Sequence, residues 1–229
     1  MHVLAAEEVT DRPLAWPVVS HQVRGSGAVS DFVNDAVQVP DGGLMNRQYL
    51  LHPGAVGVVA WDAEDRIAVV RQYRHPVSFE LLEPPAGLLD ADGESWLAAA
   101  QRELAEEAGL QAGDWRVLVD VFTSPGAGQE SLRIYLAREL AAAPVPDGFV
   151  AHDEEAHMEV AWAERRDLVA AILAGRLENP TMVSGVLALE VARLSGRLDD
   201  LRAADAPWPA RAARDAHNAE LAGLDGHAG

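Results

Sequence analysis

One nine-residue stretch constrains this chain more than any other: Arg102-Glu-Leu-Ala-Glu-Glu-Ala-Gly-Leu110. Around it, Leu97, Ala100, Leu104 and Ala108 recur at three- and four-residue intervals, so Ser95 to Ala108 reads as a helix with one buried stripe. Ser95 suits the N-cap and Gly109 the left-handed stop. At about 100° per residue, Glu103 and Glu107 fall roughly 40° apart on one flank of the stripe, as an i, i+4 pair. Glu106 lies farther round, still within reach of that flank. Unpaired like charges at this spacing cost about 0.2–0.5 kcal/mol. A divalent cation reverses that sign, because hard cations such as Mg²⁺ take carboxylate oxygens, waters and substrate phosphates as ligands. The plain alternative is a solvated acidic helix face. Arg102 points elsewhere on the helix and anchors a neighbouring acid or the preceding loop.

The rest of the chain arranges itself around this helix. Glu83-Pro-Pro-Ala-Gly87 is not regular helix, because two prolines stand side by side. Residues 55–61 and 67–71 read as strands joined by the turn Asp62-Ala-Glu-Asp65. Before them, Val37 and Val39 alternate with polar residues, Pro40-Asp-Gly-Gly43 signals a turn, and Arg47-Gln-Tyr-Leu-Leu51 returns antiparallel. After the helix, strands are expected at 116–121 and 132–137, separated by the Gly- and Pro-rich Phe122–Gly128 loop. A strand near 158–162 and helices at 164–175 and 181–199 follow. The tail from 203 reads as an irregular arm. The expected organisation is an N-terminal β subdomain over 1–52, a main domain over 53–202 and an irregular tail over 203–229. Its fold class is α/β (α+β), a mixed sheet flanked by helices.

The fixed residues around the acidic helix form a longer pattern. Gly87-x6-Glu94-x7-Arg102-Glu103-Leu104-x-Glu106-Glu107-x-Gly109-Leu110 resembles the Nudix box, G-x5-E-x7-R-E-U-x-E-E-x-G-U, where U is aliphatic. One extra residue between Gly87 and Glu94 departs from it; the helix register is intact. From about 30 to 200 the chain resembles the ADP-ribose pyrophosphatase branch of the Nudix hydrolases. The likeness rests on the N-terminal β region, Glu83-Pro-Pro-Ala-Gly87 before the box, Ser124-Pro-Gly126 with Glu130 after it, and the acidic loop at 153–155.

The resemblance implies a mixed β-sheet sandwiched between helices, with an N-terminal antiparallel β subdomain. It implies that Glu103 and Glu107 hold metal with the backbone carbonyl of Ala86, and that Glu106 ligates or pairs with Arg102. Glu94 then supports the box helix as a charge near its positive N-terminus. The resemblance also implies a catalytic glutamate in the late acidic loop. Asp153, Glu154 and Glu155 compete for that role, and Glu154 is favoured with Glu155 next. Arg47 and Arg74 would contact phosphates or the base, with Arg71 as an alternate to Arg74. Glu130 would bond a ribose or orient the Ser124–Gly128 loop. The implied reaction is Mg²⁺-dependent hydrolysis of ADP-ribose, with Mn²⁺ as a substitute. Another nucleoside diphosphate sugar, a dinucleotide, or ligand binding without cleavage are the alternatives. The resemblance implies a homodimer with exchanged N-terminal domains.

Composition removes other classes. The chain carries 18 basic and 36 acidic residues, a net charge of −18, so a general nucleic-acid surface is excluded. There are no cysteines, which rules out disulfides, thiolate metal sites and a cysteine nucleophile, and suits a reducing cytoplasm. No apolar run reaches the length of a membrane span, and the first residues lack a basic, then apolar, secretory pattern. The eight histidines show no ligand spacing.

Overall fold

The computed structural model describes residues 2–144 and 158–225. Glu154 and Glu155, with Asp153, lie outside the described residues. The chain packs as two units. One comprises the chain up to His52, Gly126–Gln129 and the chain from Pro207; the other comprises Pro53–Pro125 and the described part of Glu130–Ala206.

In the first unit, β1 (Val18–Ser26), β2 (Asp31–Gln38) and β3 (Leu44–Leu51) form an antiparallel sheet in the order β1-β2-β3. The Pro40–Gly43 turn is closed by Val39 N–H on the Gly43 carbonyl, with Gly42 at φ 88°. Inside this sheet Asp35 accepts from the His21 ring at 2.5 Å and from the Tyr49 hydroxyl at 2.9 Å. Burial pushes the Tyr49 phenol well above its ordinary value, and the carboxylate reinforces it.

The second unit contains β4 (Ala55–Ala60), β5 (Arg66–Arg74), β6 (Phe79–Glu83), β7 (Ala86–Leu88) and α1 (Trp96–Ala108). They are followed by β8 (Leu110–Phe122), β9 (Ser131–Ala142), β10 (Glu159–Glu164), α2 (Arg165–Leu173), α3 (Pro180–Leu194) and β11 (Arg202–Ala203). A five-stranded mixed sheet runs β11-β8-β9-β4-β7, with β4 and β9 parallel; a smaller antiparallel sheet runs β10-β5-β6. Strand alternation sorts the core onto two faces. Val56, Val58 and Ala60 of β4, with Tyr135 and Ala137 of β9, pack with Ala99, Ala100 and Leu104 of α1. Ala55 and Val59, with Leu132, Ile134 and Leu136, pack with Leu168 of α2 and Met182, Val186 and Leu189 of α3. Helices thus cover both faces of the mixed sheet, and the α+β class holds.

Two polar clusters knit this unit. Arg165, almost fully buried, donates to both oxygens of Asp65 at 2.7 and 2.8 Å and to Glu190. Hydrogen bonding to Arg165 lowers the Asp65 carboxyl below its usual range, and hydrogen bonding to Arg193 lowers Glu190. Arg133 is wholly buried. Its guanidinium grips Asp120 at 2.8 and 3.0 Å, donates to the Ala206 carbonyl at 2.7 Å and lies 5.2 Å from the Trp96 ring centroid.

The structure corrects the reading of the tail. Residues Pro209–Asp225 are not irregular; they form α4, which packs against β1 in the first unit. Pro209 is its first residue, where a missing N–H costs nothing, and alanines carry it onward. Leu221 and the preceding Trp208 are buried. The strands expected at 116–121 and 132–137 run longer, as β8 and β9, with a register shift between Val117 and Val119. β1 and β6 lacked a clean alternating signal. The helix expected to reach 199 ends at Leu194, where Ser195 turns back to bond the Val191 carbonyl.

Candidate functional site

The acidic helix forms where its local signals put it. Ser95 Oγ accepts from the Ala98 N–H at 3.1 Å, and Gly109, at φ 62°, sends its N–H to the carbonyls of Ala105 and Leu104. Leu104 is fully buried beneath the helix, while Glu103, Glu106 and Glu107 are half-buried on its flank. The flank meets β7, which pairs with the edge of β4. Glu107 accepts the Ala86 N–H at 2.9 Å. The Glu103 carboxyl lies over Gly87 so closely that a Cβ on Gly87 would stand 2.0 Å from its Cδ and Oε1. A glycine here is therefore a clearance for the carboxylate. The Ala86–Gly87 backbone and the two glutamates form one contiguous oxygen-rich patch.

Arg102 gathers the remaining charge. Nε and Nη2 donate to the two oxygens of Glu94 at 3.0 and 3.1 Å, and Nη1 donates to Glu103 at 2.6 Å and Glu106 at 3.0 Å. The bonds to Glu94, then the charge and hydrogen bond of Glu103 and the hydrogen bond of Glu106, raise the already high Arg102 value further, so the cation is permanent. Glu106 is paired with Arg102 at 3.0 Å. Glu94 is an ion-pair partner rather than only a charge near the helix start. The extra residue before Glu94 is absorbed in a turn in which Glu94 N–H bonds the Ala91 carbonyl at 3.3 Å and Gly93 sits at φ 78°.

Among the described residues, no three His, Asp or Glu side chains stand ready-grouped around a metal position. The Arg102 Nη1 lies on Glu103 and Glu106. The donor chemistry nevertheless fits a hard divalent ion. It consists of carboxylate and peptide oxygens, without nitrogen or sulfur. The missing side chain at Gly87 lets the Glu103 carboxylate approach the backbone.

A family model described as the NUDIX domain matches residues 51–183. The chain belongs to the NUDIX family. It is 42% identical over 174 residues to an ADP-ribose pyrophosphatase of Mycobacterium tuberculosis, covering 76% of this chain and 83% of that protein. It is 39% identical over 115 residues to an ADP-ribose pyrophosphatase of Bacillus subtilis, covering 50% of this chain and 62% of that one. A solved structure described as an ADP compounds hydrolase superposes with a TM-score of 0.65 at 20% identity, covering 82% of this chain and all of that one. At that identity the likeness concerns the fold. The matched residues run from the end of β3 into α3 and include α1.

The other expected residues fall as follows. Arg74 makes a two-pronged bond to Glu83, at 3.0 and 2.7 Å, just ahead of the two prolines that lead to the NUDIX glycine. Glu83 itself is 3% exposed. Arg71 pairs loosely with Glu80 at 3.5 Å. Glu130 closes the foot of the β8–β9 loop: its Oε2 accepts from the Thr123 hydroxyl at 2.5 Å and its carbonyl from the Thr123 N–H at 3.3 Å. Arg47 belongs to the other unit, exposed on β3 opposite Asp35, with Nη1 on the Asn46 carbonyl. Trp61 donates to Asp65 at 2.9 Å, and Trp96 stacks under Arg133. Sequence reasoning missed Thr123 and the clearance role of Gly87. An Oγ-bearing residue at the foot of a hairpin loop carries no pattern that marks it in advance.

Proposed function

We propose that this chain hydrolyses the pyrophosphate bond of ADP-ribose to AMP and ribose 5-phosphate, with Mg²⁺ as the cofactor and Mn²⁺ as a substitute. The observation that supports it most is the seating of Glu103 over Gly87 and of Glu107 on the Ala86 N–H, which aims two carboxylates at one stretch of backbone. Glu103, Glu107 and the Ala86 carbonyl would hold the ion, with Glu106 available beside them. When bound, Mg²⁺ offsets diphosphate charge and lowers the pKa of a water. The protein supplies the rest. Ala86 N–H fixes the rotamer of Glu107. Arg102 keeps Glu106 and Glu94 from repelling their neighbours. Arg74 and Arg47 pair with phosphate oxygens, for which a planar guanidinium is suited. Glu130 accepts from a ribose hydroxyl. Glu154 takes the proton of the attacking water, with Glu155 next in line.

The acidic, cysteine-free composition accords with a cytoplasmic protein, and we assign it a homodimeric state with exchanged N-terminal β regions. Light scattering at micromolar concentration tests the dimer; a monomer mass contradicts it.

The activity is tested by following AMP from ADP-ribose with and without Mg²⁺, beside UDP-glucose, GDP-mannose and a dinucleoside polyphosphate. AMP release that requires Mg²⁺ and is fastest on ADP-ribose is expected. Rapid cleavage of another substrate with ADP-ribose untouched refutes the substrate assignment. Tight ADP-ribose binding with no cleavage of any compound refutes the enzyme reading.

A further inference from the structure

β3 is an edge strand of the N-terminal sheet, and the tip of the β8–β9 loop is laid along it. Leu50 stands opposite Phe32 of β2. Its N–H donates to the Ala127 carbonyl at 3.0 Å, and its carbonyl accepts the Gln129 N–H at 3.2 Å. In an antiparallel strand both polar groups of one residue face the same side. Those of Leu50 therefore face away from β2 and serve the loop alone. Leu50 and Gly128 complete the arrangement as a parallel bridge. The loop tip thus blunts the open edge of β3, as exposed edges require. Gly126–Gln129 belongs to the same compact unit as β3.

We propose that β3 sets the conformation of the 124–129 loop through the main chain of Leu50, and that the Gln129 N–H is a positioning group for Glu130 when ADP-ribose binds. The proposal rests on the reading of Glu130 as a substrate contact. A loop containing Gly126 and Gly128 has wide backbone freedom and would present the next residue in many poses. Two main-chain bonds at the tip and the Thr123 bonds at the foot hold it at both ends. Glu130 is the residue directly after the tip bond. The hold uses no side chain at Leu50 or Gln129, so it is blind to most substitutions there and sensitive to proline, which lacks the N–H.

The test compares Gln129→Pro with Gln129→Ala, which keeps the N–H. Amide hydrogen exchange is read over residues 124–130, and steady-state kinetics are run on ADP-ribose with Mg²⁺. Gln129→Pro is expected to speed exchange of the loop amides and to raise KM about fivefold, the equilibrium weight of one net hydrogen bond. Its kcat stays within about twofold, and Gln129→Ala behaves as wild type. Unchanged loop exchange in Gln129→Pro overturns the proposal. Faster exchange with unchanged KM overturns the link to binding. A fall in kcat matching the rise in KM marks general damage to the fold and also overturns it. Failure of the underlying reading is distinguishable, because Glu130→Gln would then leave KM unchanged. If Gln129→Pro does not fold, Leu50→Pro removes the other tip bond, made by an N–H that faces away from β2, and the same outcomes apply.

Discussion

Replacing Gly87 with alanine separates the site from the fold. The new Cβ would stand 2.0 Å from Cδ and Oε1 of Glu103 and 2.4 Å from its Cγ. These are the outer atoms of a flexible side chain, so β7 need not move and its pairing with Val56 survives. The carboxylate must retreat by roughly 1.4 Å to regain ordinary contact. An off-rotamer glutamate costs about 0.5–1.5 kcal/mol. The loss of glycine freedom in the unfolded chain returns about 0.4–1 kcal/mol. Net stability should change by less than about 1 kcal/mol, or about 2–4 °C in Tm for a chain of this size. Turnover should suffer far more, since misplacing a reacting group by about 1 Å costs on the order of 100-fold. Mn²⁺ titrated into chelator-stripped protein and followed by electron paramagnetic resonance should show weaker binding. Wild-type turnover together with wild-type Mn²⁺ affinity would refute the reasoning. A Tm drop beyond about 10 °C would show instead that the backbone itself demands glycine.

Three further outcomes follow from the same geometry. Glu107→Gln should fold normally, because its amide oxygen still accepts the Ala86 N–H, while ADP-ribose turnover falls by about 1,000-fold; near-normal rates at saturating Mg²⁺ would remove Glu107 from the site. Ser95→Ala should cost about 1 kcal/mol in urea unfolding, and an unchanged midpoint would mean the cap contributes nothing. Asp65 and Glu190 titrate lower in the folded protein than in the unfolded chain, so their stabilisation is complete above about pH 5 and is lost as pH falls through the depressed values. Asp65→Asn should therefore flatten the acid limb of the stability curve, and an unaltered limb would assign acid sensitivity to other groups.

Much of the NUDIX helix was legible because its determinants are local. Apolar spacing sets the buried stripe, Ser95 and Gly109 set the ends, and the i, i+4 rule puts Glu103 and Glu107 together. The β2–β3 hairpin was legible for the same reason, through alternation and a Pro-Asp-Gly-Gly turn. The C-terminal helix was not. Proline and alanine there favour a helix start and a helix body, yet an alanine-rich segment is marginal until something covers its apolar face. Arg133 shows the limit from another side. A charged residue within an apolar strand reads as a defect until Asp120, Ala206 and Trp96 are seen to receive it.

The amino-acid order alone determined the family, the box helix with its caps, the identity of the acids on its flank and the excess negative charge they sit in. Each depends on residues near one another in the chain, where geometry is nearly fixed by the peptide bond. Only the folded molecule decided that Arg102 holds Glu94, Glu103 and Glu106 at once, that Gly87 makes room for Glu103, and that Leu50 grips the β8–β9 loop. Long side chains have several partners within reach, and strand edges accept any backbone. Which of those options is taken is set by the packing of β7, α1 and β3 against segments remote in sequence.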